Sequence, residues 1–113
     1  MSSCVFCKIV EGQLPCQKVF ESETVLAFKD LHPQHPIHYL FIPKKHYVNV
    51  ADLPDDNGNI MADLFAAIKT VAEKEGFAEK GYRNVINTGT WGGQTVFHLH
   101  VHLLSGRTMS PSF

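Results

Sequence analysis

Seven histidines and three cysteines give this chain of 113 residues its most reactive side chains, and three of the histidines are regularly spaced. His98, His100 and His102 alternate with apolar residues along residues 97–104. Because successive side chains of a β-strand point to opposite faces, we expect the three imidazoles in a row on one outer face, about 6–7 Å apart, with the apolar residues packed inward. Such a row has two chemical interpretations: a histidine-rich metal site, or a nucleophile flanked by a general acid and an orienting partner.

The nucleophile interpretation explains the row better than a catalytic metal does. A catalytic zinc needs three ligands that converge on one point, whereas side chains from one flat strand project in parallel. Asp30 is the only acidic residue within residues 29–38, which leaves a two-metal centre short of carboxylates. A neutral imidazole at His100 is a competent nucleophile near pH 7, and His98 and His102 lie on either side of it in the sequence.

A glycine-containing loop precedes the histidine row. Asn87 begins it, and Gly92, Gly93, Gln94 and Thr95 end it. Paired glycines allow backbone N–H groups to approach an anion closely, and the Thr95 hydroxyl and the Asn87 amide add oriented donors. Donors of this kind next to a nucleophile point to phosphate chemistry.

A second group begins with Cys4 and Cys7, a Cys-x-x-Cys pair near the N-terminus. One such pair holds zinc only with two further ligands, for which His46 and His98 are the candidates; buried thiols are the alternative. A thioredoxin-type redox motif is disfavoured because only three residues precede Cys4. The third cysteine, Cys16, fits best as a small buried hydrophobe.

Composition and charge exclude several classes of protein. With 44% hydrophobic and 19% charged residues, we expect one globular domain over residues 1–113. Ten basic against eleven acidic residues lack the basic excess of a nucleic-acid-binding protein. No apolar run approaches the roughly 18 residues needed to cross a membrane. The N-terminus has no signal-peptide pattern, and an odd number of cysteines disfavours a disulfide framework, so we expect a cytoplasmic protein.

Hydrophobic periodicity predicts an α+β fold with one antiparallel sheet, since only one long crossover helix is available. In the loop at residues 31–36, His32 and His35 are expected to be solvated. The predicted elements are a short helix at 4–10, strands at 18–21, 25–29 and 38–42, a long helix at 59–76, and strands at 82–87 and 97–104.

Residues 97–104 resemble the histidine-triad signature, His-φ-His-φ-His-φ-φ, in which φ is hydrophobic. The resemblance extends over nearly the whole chain, through segments at residues 6–10, 26–30, 41–46 and 87–96 in the same order and spacing. It is closest to the Hint branch of that family, the nucleoside phosphoramidases. The resemblance implies the fold of that family, a five-stranded antiparallel sheet with one long helix and a short N-terminal helix.

The resemblance also implies a hydrolase that acts on purine nucleoside 5′-monophosphates carrying a displaceable group, typically an amine in a P–N bond. His100 would be the nucleophile, forming a covalent nucleotidyl intermediate that water then cleaves. His102 would act on the phosphate and leaving-group side, His98 would hold His100 in orientation, and His38 would support the triad. The implied nucleotide-binding positions are Asn87, Gly93 and Thr95 for phosphate, Asp30 for ribose, and Phe6, Ile9, Phe28, Leu31 and Leu40 for the base.

Further implications concern metal, assembly and the nearest alternatives. The family pattern implies no organic cofactor, a homodimer whose central strands join two five-stranded sheets, and a structural zinc on Cys4, Cys7, His46 and His98. Dinucleoside polyphosphate hydrolysis and a non-catalytic nucleotide-binding module are the alternative functions. Residues 106–113 differ from the Trp-Pro-Pro-Gly-like tail that shapes the leaving-group side in the Hint branch, and Trp91 and Phe113 are the candidates to fill that space.

Overall fold

The computed structural model of the chain describes residues 3–55 and 59–111. The predicted order of elements is confirmed, with bounds that differ by a few residues. The elements are helix α1 (Val5–Val10), strands β1 (Lys18–Glu21), β2 (Val25–Lys29) and β3 (Ile37–Pro43), a 3₁₀ turn (Val50–Asp52), helix α2 (Asn59–Lys74), and strands β4 (Arg83–Val85) and β5 (Val101–Ser105).

The five strands form one antiparallel sheet in the order β1-β2-β3-β5-β4. The Ser22 hydroxyl closes the first hairpin by accepting hydrogen bonds from the N–H groups of Thr24 and Val25. Strand β3 lies at the centre and pairs with both β2 and β5, and its Leu40 is opposite His102. The sheet therefore brings residues from distant parts of the chain next to each other at β3.

Alternation along the strands separates two apolar layers. One face of the sheet packs against α2, with Phe41, Leu64 and Leu103 among its buried residues. The other face packs against α1, where the buried cluster is Phe6, Leu26, Phe28, Leu40 and Ile42. His38 and His102 alternate with residues of the α2 layer and so lie on the α1 face, which is the face that carries the candidate site.

Helix α2 follows the predicted amphipathic stripe. Its buried residues are spaced for one face, and Gly76, at φ +84°, takes the left-handed conformation just beyond the helix and donates its N–H to the Ala72 carbonyl at 3.1 Å. Within the described residues, no helix is both long and apolar enough to cross a membrane. The buried residues of α2 are Ile60, Leu64, Ala67, Ile68, Val71 and Ala72.

The last strand is shorter than predicted, because the ladder between β3 and β5 ends at the pair Phe41 and Val101. Continuing the register would place Leu99 opposite Pro43. Proline has no N–H to donate, and the Pro43 carbonyl instead accepts a hydrogen bond from the His98 ring at 2.8 Å. The chain therefore leaves the ladder before it reaches the first two histidines. Strand β4 is likewise shorter than the predicted residues 82–87.

The prediction that the three imidazoles line an outer face of one strand is wrong, because the strand begins after His100 and helix α1 covers this face. Of the three, only His102 lies in β5, while His98 and His100 are 0% and 8% exposed beneath α1. Phe97, expected to pack inward, is 47% exposed. The three side chains consequently face different surroundings, and each has a different partner.

Candidate functional site

A cavity of about 550 Å³ lies on the α1 face of the sheet. One end is apolar and formed by Phe6, Ile9, Phe28 and Leu40. The volume is in the range of pockets that enclose a small-molecule ligand. All nine predicted nucleotide-binding residues line this cavity together with two of the triad histidines: Phe6, Ile9, Phe28, Asp30, Leu31, Leu40, Asn87, Gly93, Thr95, His100 and His102.

Six further residues that sequence reasoning did not assign to the pocket also line the cavity: Val5, Pro15, Cys16, Lys29, His32 and Val96. Cys16 and Val96 are partly buried against the same apolar cluster as Phe6. The expectation of Cys16 as a fully buried hydrophobe is therefore too simple, since its thiol lies at a pocket wall. Leu31 is 83% exposed and lines the rim of the cavity rather than its floor.

His100 presents an unprotonated ring nitrogen. Its Nδ1 lies 2.7 Å from the main-chain oxygen of His98. A carbonyl oxygen only accepts, so Nδ1 carries the proton and Nε2 keeps its lone pair. Burial lowers the pKa of His100 and the edge of the Phe6 ring packs against it, so the ring is neutral at neutral pH. His98 thus contacts His100 through its main-chain oxygen.

His102 carries its proton on the opposite ring nitrogen. The Gln34 N–H donates to His38 Nδ1 at 3.0 Å, so a neutral His38 is protonated at Nε2. That N–H lies 2.9 Å from His102 Nδ1 and 3.3 Å from a carboxylate oxygen of Asp30. His102 Nδ1 is then the acceptor, and its Nε2 carries hydrogen. Sequence reasoning missed Gln34, since a main-chain donor leaves no signal in residue type.

Asp30, His38 and His102 also bring one donor atom each within 4.8 Å, which is close enough for a metal ion. The hydrogen bonds oppose that use. A metal on His38 Nε2 would move the ring proton to Nδ1, where it would face the Gln34 N–H at 3.0 Å. The three residues are therefore better described as a hydrogen-bonded relay that fixes the proton of His102.

The loop between β4 and the histidines is held rigidly. Buried Gln94 accepts from the N–H of Gly89 and donates to the carbonyls of Val48 and Val96. A side chain at Gly92 would bring its Cβ to 2.4 Å from the Thr88 carbonyl oxygen, so this position requires glycine.

The polar end of the cavity holds the predicted phosphate donors. Gly93 and Thr95 line it, and the Asn87 amide donates one hydrogen to the Gly92 carbonyl at 2.8 Å, which leaves a second amide hydrogen for a ligand. Trp91 is fully exposed in the same loop. Phe113, the other candidate for the leaving-group side, lies outside the described residues.

Cys4, Cys7, His46 and His98 converge at the N-terminus of α1, as expected for a metal centre. Their ligand atoms all lie within 4.8 Å of one another, and the close pairs are separated by 3.1 to 3.6 Å. Tetrahedral zinc with bonds of about 2.3 Å to sulfur and 2.0–2.1 Å to nitrogen spaces its ligands by about 3.3–3.8 Å. His98 Nε2 donates to the Pro43 carbonyl, so Nδ1 is unprotonated and directed at the sulfurs. The donor set therefore fits zinc.

The two remaining histidines differ from each other. His32 is exposed, as expected, and its N–H donates to the Asp30 carboxylate at 2.8 Å. His35 was expected to be solvated, but it is half-buried, and its Nδ1 is buried without a hydrogen-bond partner among the described residues.

A pH dependence of stability follows from His102. Burial, reinforced by the His100 and His38 rings, lowers the pKa of His102 to about 4, against about 6.5 in an unfolded chain. Between these values the unfolded state binds more protons, so stability falls as the pH drops from about 6.5 to 4. We expect the urea midpoint to fall over this window, and to fall less in His102→Asn. If the urea midpoint fell equally with pH in wild type and in His102→Asn, the assignment of this pH dependence to His102 would be contradicted.

Comparisons with known proteins agree with this geometry. The HIT domain family model matches residues 11–109. The chain is 38% identical over 107 residues to a purine nucleoside phosphoramidase of Escherichia coli (strain K12), covering 95% of this chain and 90% of the relative. It is 48% identical over 105 residues to a HIT-like protein of Chlamydia pneumoniae, covering 93% and 94%.

Two solved structures are similar over nearly their whole length. A histidine triad protein from Clostridium difficile has a TM-score of 0.97 at 42% identity, covering all of this chain and 98% of that one. A HIT family hydrolase from Legionella pneumophila Philadelphia 1 has a TM-score of 0.93 at 46% identity, covering 96% and 97%. With the family match, the five-stranded sheet and the histidine site in agreement, the chain belongs to the HIT domain family.

Proposed function

We propose that the protein hydrolyses purine nucleoside 5′-phosphoramidates through a covalent nucleotidyl intermediate on His100. The observation that carries the proposal is the pair of opposite tautomers: His100 offers a lone pair on Nε2, while His102 offers a hydrogen on Nε2, with ring centroids 5.0 Å apart. A nucleophile beside a proton donor is what displacement of an amine from phosphorus requires. The similarity to a purine nucleoside phosphoramidase supports the same choice.

The substrate would lie along the cavity with its base at the apolar end and its phosphate at the polar end. Aromatic side chains such as Phe6 and Phe28 suit a flat purine, while Thr95 and the Gly93 backbone suit an anion. The Asp30 carboxylate would accept hydrogen bonds from the ribose. The negative phosphate would raise the pKa of His102 once bound, and so charge the acid when it is needed.

The reaction would proceed in two balanced steps. His100 Nε2 attacks phosphorus and forms a P–N bond, while the bond to the leaving amine breaks and His102 gives that amine a proton. A water then attacks phosphorus, His102 takes the proton of the water, and the bond to His100 breaks. The products are a nucleoside monophosphate and an amine; His100 regains its free Nε2, and His102, which substrate binding had charged, is charged again and loses that proton when the products leave.

The proposed ribose contact gives a prediction for Asp30→Asn. A hydrogen bond to a charged acceptor is worth about 1.5–3 kcal/mol, so we expect kcat/KM for adenosine 5′-phosphoramidate to fall by about 10- to 100-fold. The control is the 2′,3′-dideoxy substrate, which lacks the hydroxyls, so the fall in kcat/KM should be clearly smaller with it, and the fall that remains measures the contact between Asp30 and the His38 ring. An equal fall in kcat/KM with both substrates would contradict the ribose contact.

Substrate class is tested by comparing kcat/KM for adenosine 5′-phosphoramidate and for a dinucleoside polyphosphate under the same conditions. We expect the phosphoramidate to be preferred by at least about tenfold, a margin of roughly 1.4 kcal/mol in transition-state binding. A preference for the polyphosphate would favour the neighbouring branch of the family. Nucleotide binding without turnover of either would favour a binding module.

We also propose that the four-residue cluster holds a structural zinc. When bound, the metal would cross-link α1 to the segment that follows β3 and to the segment that precedes β5. The support is the ligand spacing, the N₂S₂ donor set and the hydrogen bond from His98 to the Pro43 carbonyl, which fixes the ring as ligating histidines usually are fixed. Roughly one zinc per chain by elemental analysis is the expected result, and metal-free protein of equal heat stability would contradict it.

We further propose a homodimer in which the β4 edge strands of two copies pair, so that the two β4 strands become the central strands of the joined sheets. β4 is a strand of three residues at the edge of the sheet, and an edge strand leaves backbone donors and acceptors that a second copy can pair. On α2, Phe65 is 42% exposed on an otherwise well-packed helix. Light scattering should give twice the mass of one chain, and a monomer at micromolar concentration would contradict the proposal.

A further inference from the structure

We infer that the metal cluster positions the nucleophile, with His98 as the positioning residue that couples the two. This inference rests on the proposed nucleotidyl transfer by His100. It adds that the ligands Cys4, Cys7 and His46 affect the rate of nucleotidyl transfer as well as the stability of the fold. His98 is the link because its ring belongs to the cluster and its main-chain oxygen belongs to the active site.

The ring and the main-chain oxygen of His98 both have hydrogen-bond partners, and the residue is fully buried. The ring Nδ1 lies 3.3 Å from Cys4 Sγ and 3.1 Å from His46 Nδ1. Its main-chain oxygen accepts the His100 Nδ1–H at 2.7 Å. That last bond is the one that leaves His100 Nε2 unprotonated, so a shift of the His98 carbonyl changes both the aim and the tautomer of the nucleophile.

Two hydrogen bonds hold this carbonyl in place, one of them through the Leu99 N–H, which belongs to the same planar peptide unit. His98 lies three residues before the start of β5, beyond the end of the sheet ladder. Its neighbourhood is held by the ring bond to Pro43 and by the bond from the Leu99 N–H to the Tyr47 carbonyl. Without a metal, two thiols and two imidazoles at this spacing offer only weak hydrogen bonds. A bound metal would therefore add a third restraint on His98, acting through its ring.

The base end of the cavity depends less on the cluster. Phe28 and Leu40 lie opposite each other on β2 and β3, and β2 pairs with β3 along its whole length. Phe6 is on α1, where the Cys4 sulfur accepts a hydrogen bond from the Cys7 N–H, so it couples more closely to the metal. We therefore expect metal loss to lower the rate of nucleotidyl transfer far more than the affinity for a nucleoside monophosphate.

The experiment compares His46→Ala with the metal-loaded wild type. His46 is the exposed ligand, so its removal disturbs the fold least. We expect zinc per chain to fall well below one, the His100 Nδ1–H signal in nitrogen-15 NMR to weaken or shift, and the single-turnover nucleotidyl-transfer rate to fall by at least about tenfold. The Kd for AMP should change by less than about threefold.

Two matched variants and one chemical treatment complete the design. Lys45→Ala changes the neighbouring residue, which is not a ligand, and should match wild type. His46→Cys restores a zinc ligand and should recover metal, NMR signal and rate relative to His46→Ala. Treating wild type with 1,10-phenanthroline and then adding zinc back should remove and restore the same three quantities without any substitution.

A cluster with a purely structural role gives a different outcome. His46→Ala or chelated wild type would then lose zinc while keeping the His100 Nδ1–H signal and the wild-type transfer rate, and this would overturn the inference. Failure of the proposed function is distinguishable from this result. If wild type transferred no nucleotidyl group, the NMR comparison of zinc-loaded and zinc-free protein would still show whether the metal fixes His100.

Discussion

Replacing His100 by alanine is expected to lower kcat for adenosine 5′-phosphoramidate by at least about 1,000-fold. A side chain that forms the covalent bond has no substitute in the site, and loss of such a group costs several orders of magnitude in comparable enzymes. Steady-state hydrolysis measures the effect. The Kd for AMP should stay within a few-fold, because the apolar base wall and the Asp30 carboxylate are untouched.

His100→Gly supplies a stronger control for this prediction. Added imidazole can occupy the space of the missing ring and restore part of the rate, whereas it has no effect on wild type if the site is filled. An equal thermal midpoint of wild type and His100→Ala would show that the loss is chemical. Retention of the wild-type rate by His100→Ala would contradict the mechanism.

The second large effect is expected for Cys4→Ser, which removes a zinc ligand. A metal that binds only the folded state adds about 4 kcal/mol when present at a thousand times its Kd. For a domain of this size, that corresponds to a loss of roughly 10–20 °C in the thermal midpoint. Calorimetry and elemental analysis should show that midpoint and zinc fall together.

The matched control for this prediction is Cys16→Ser, which alters the cysteine outside the cluster. Cys16 is half-buried at the cavity wall and is not among the four ligands, so its serine variant should keep wild-type zinc content. A Cys4→Ser protein with the thermal midpoint and zinc content of wild type would contradict the metal assignment.

Local sequence patterns were sufficient to predict most of the framework. The hairpin of β1 and β2, the central strand β3 and the stripe of α2 each depend on periodicity within one segment, and all three lie within a few residues of their predicted bounds. Apart from Leu31, which is exposed at the rim, the predicted apolar cavity residues were recognisable as core positions on two strands and a helix. Their assembly around one pocket was predicted only from the family resemblance.

The histidine site depended on contacts that residue types do not record. Alternation of polar and apolar residues predicted a strand through His98, yet the strand ends earlier because Pro43 cannot donate and its carbonyl bonds to the His98 ring. The two tautomers are set by a main-chain carbonyl and by the Gln34 N–H. In each bond the partner of the histidine ring is a main-chain group, so no motif of residue types could have indicated it.

The most direct test of the proposed mechanism is detection of the covalent intermediate. Wild-type protein mixed with excess adenosine 5′-phosphoramidate, quenched within one turnover in alkaline denaturant and analysed by fragmentation mass spectrometry, should carry one nucleotidyl group on His100. The adduct should form and decay at rates consistent with kcat and be absent from His100→Ala. Turnover at the wild-type rate with no adduct at any quench time, or an adduct on another residue, would contradict it.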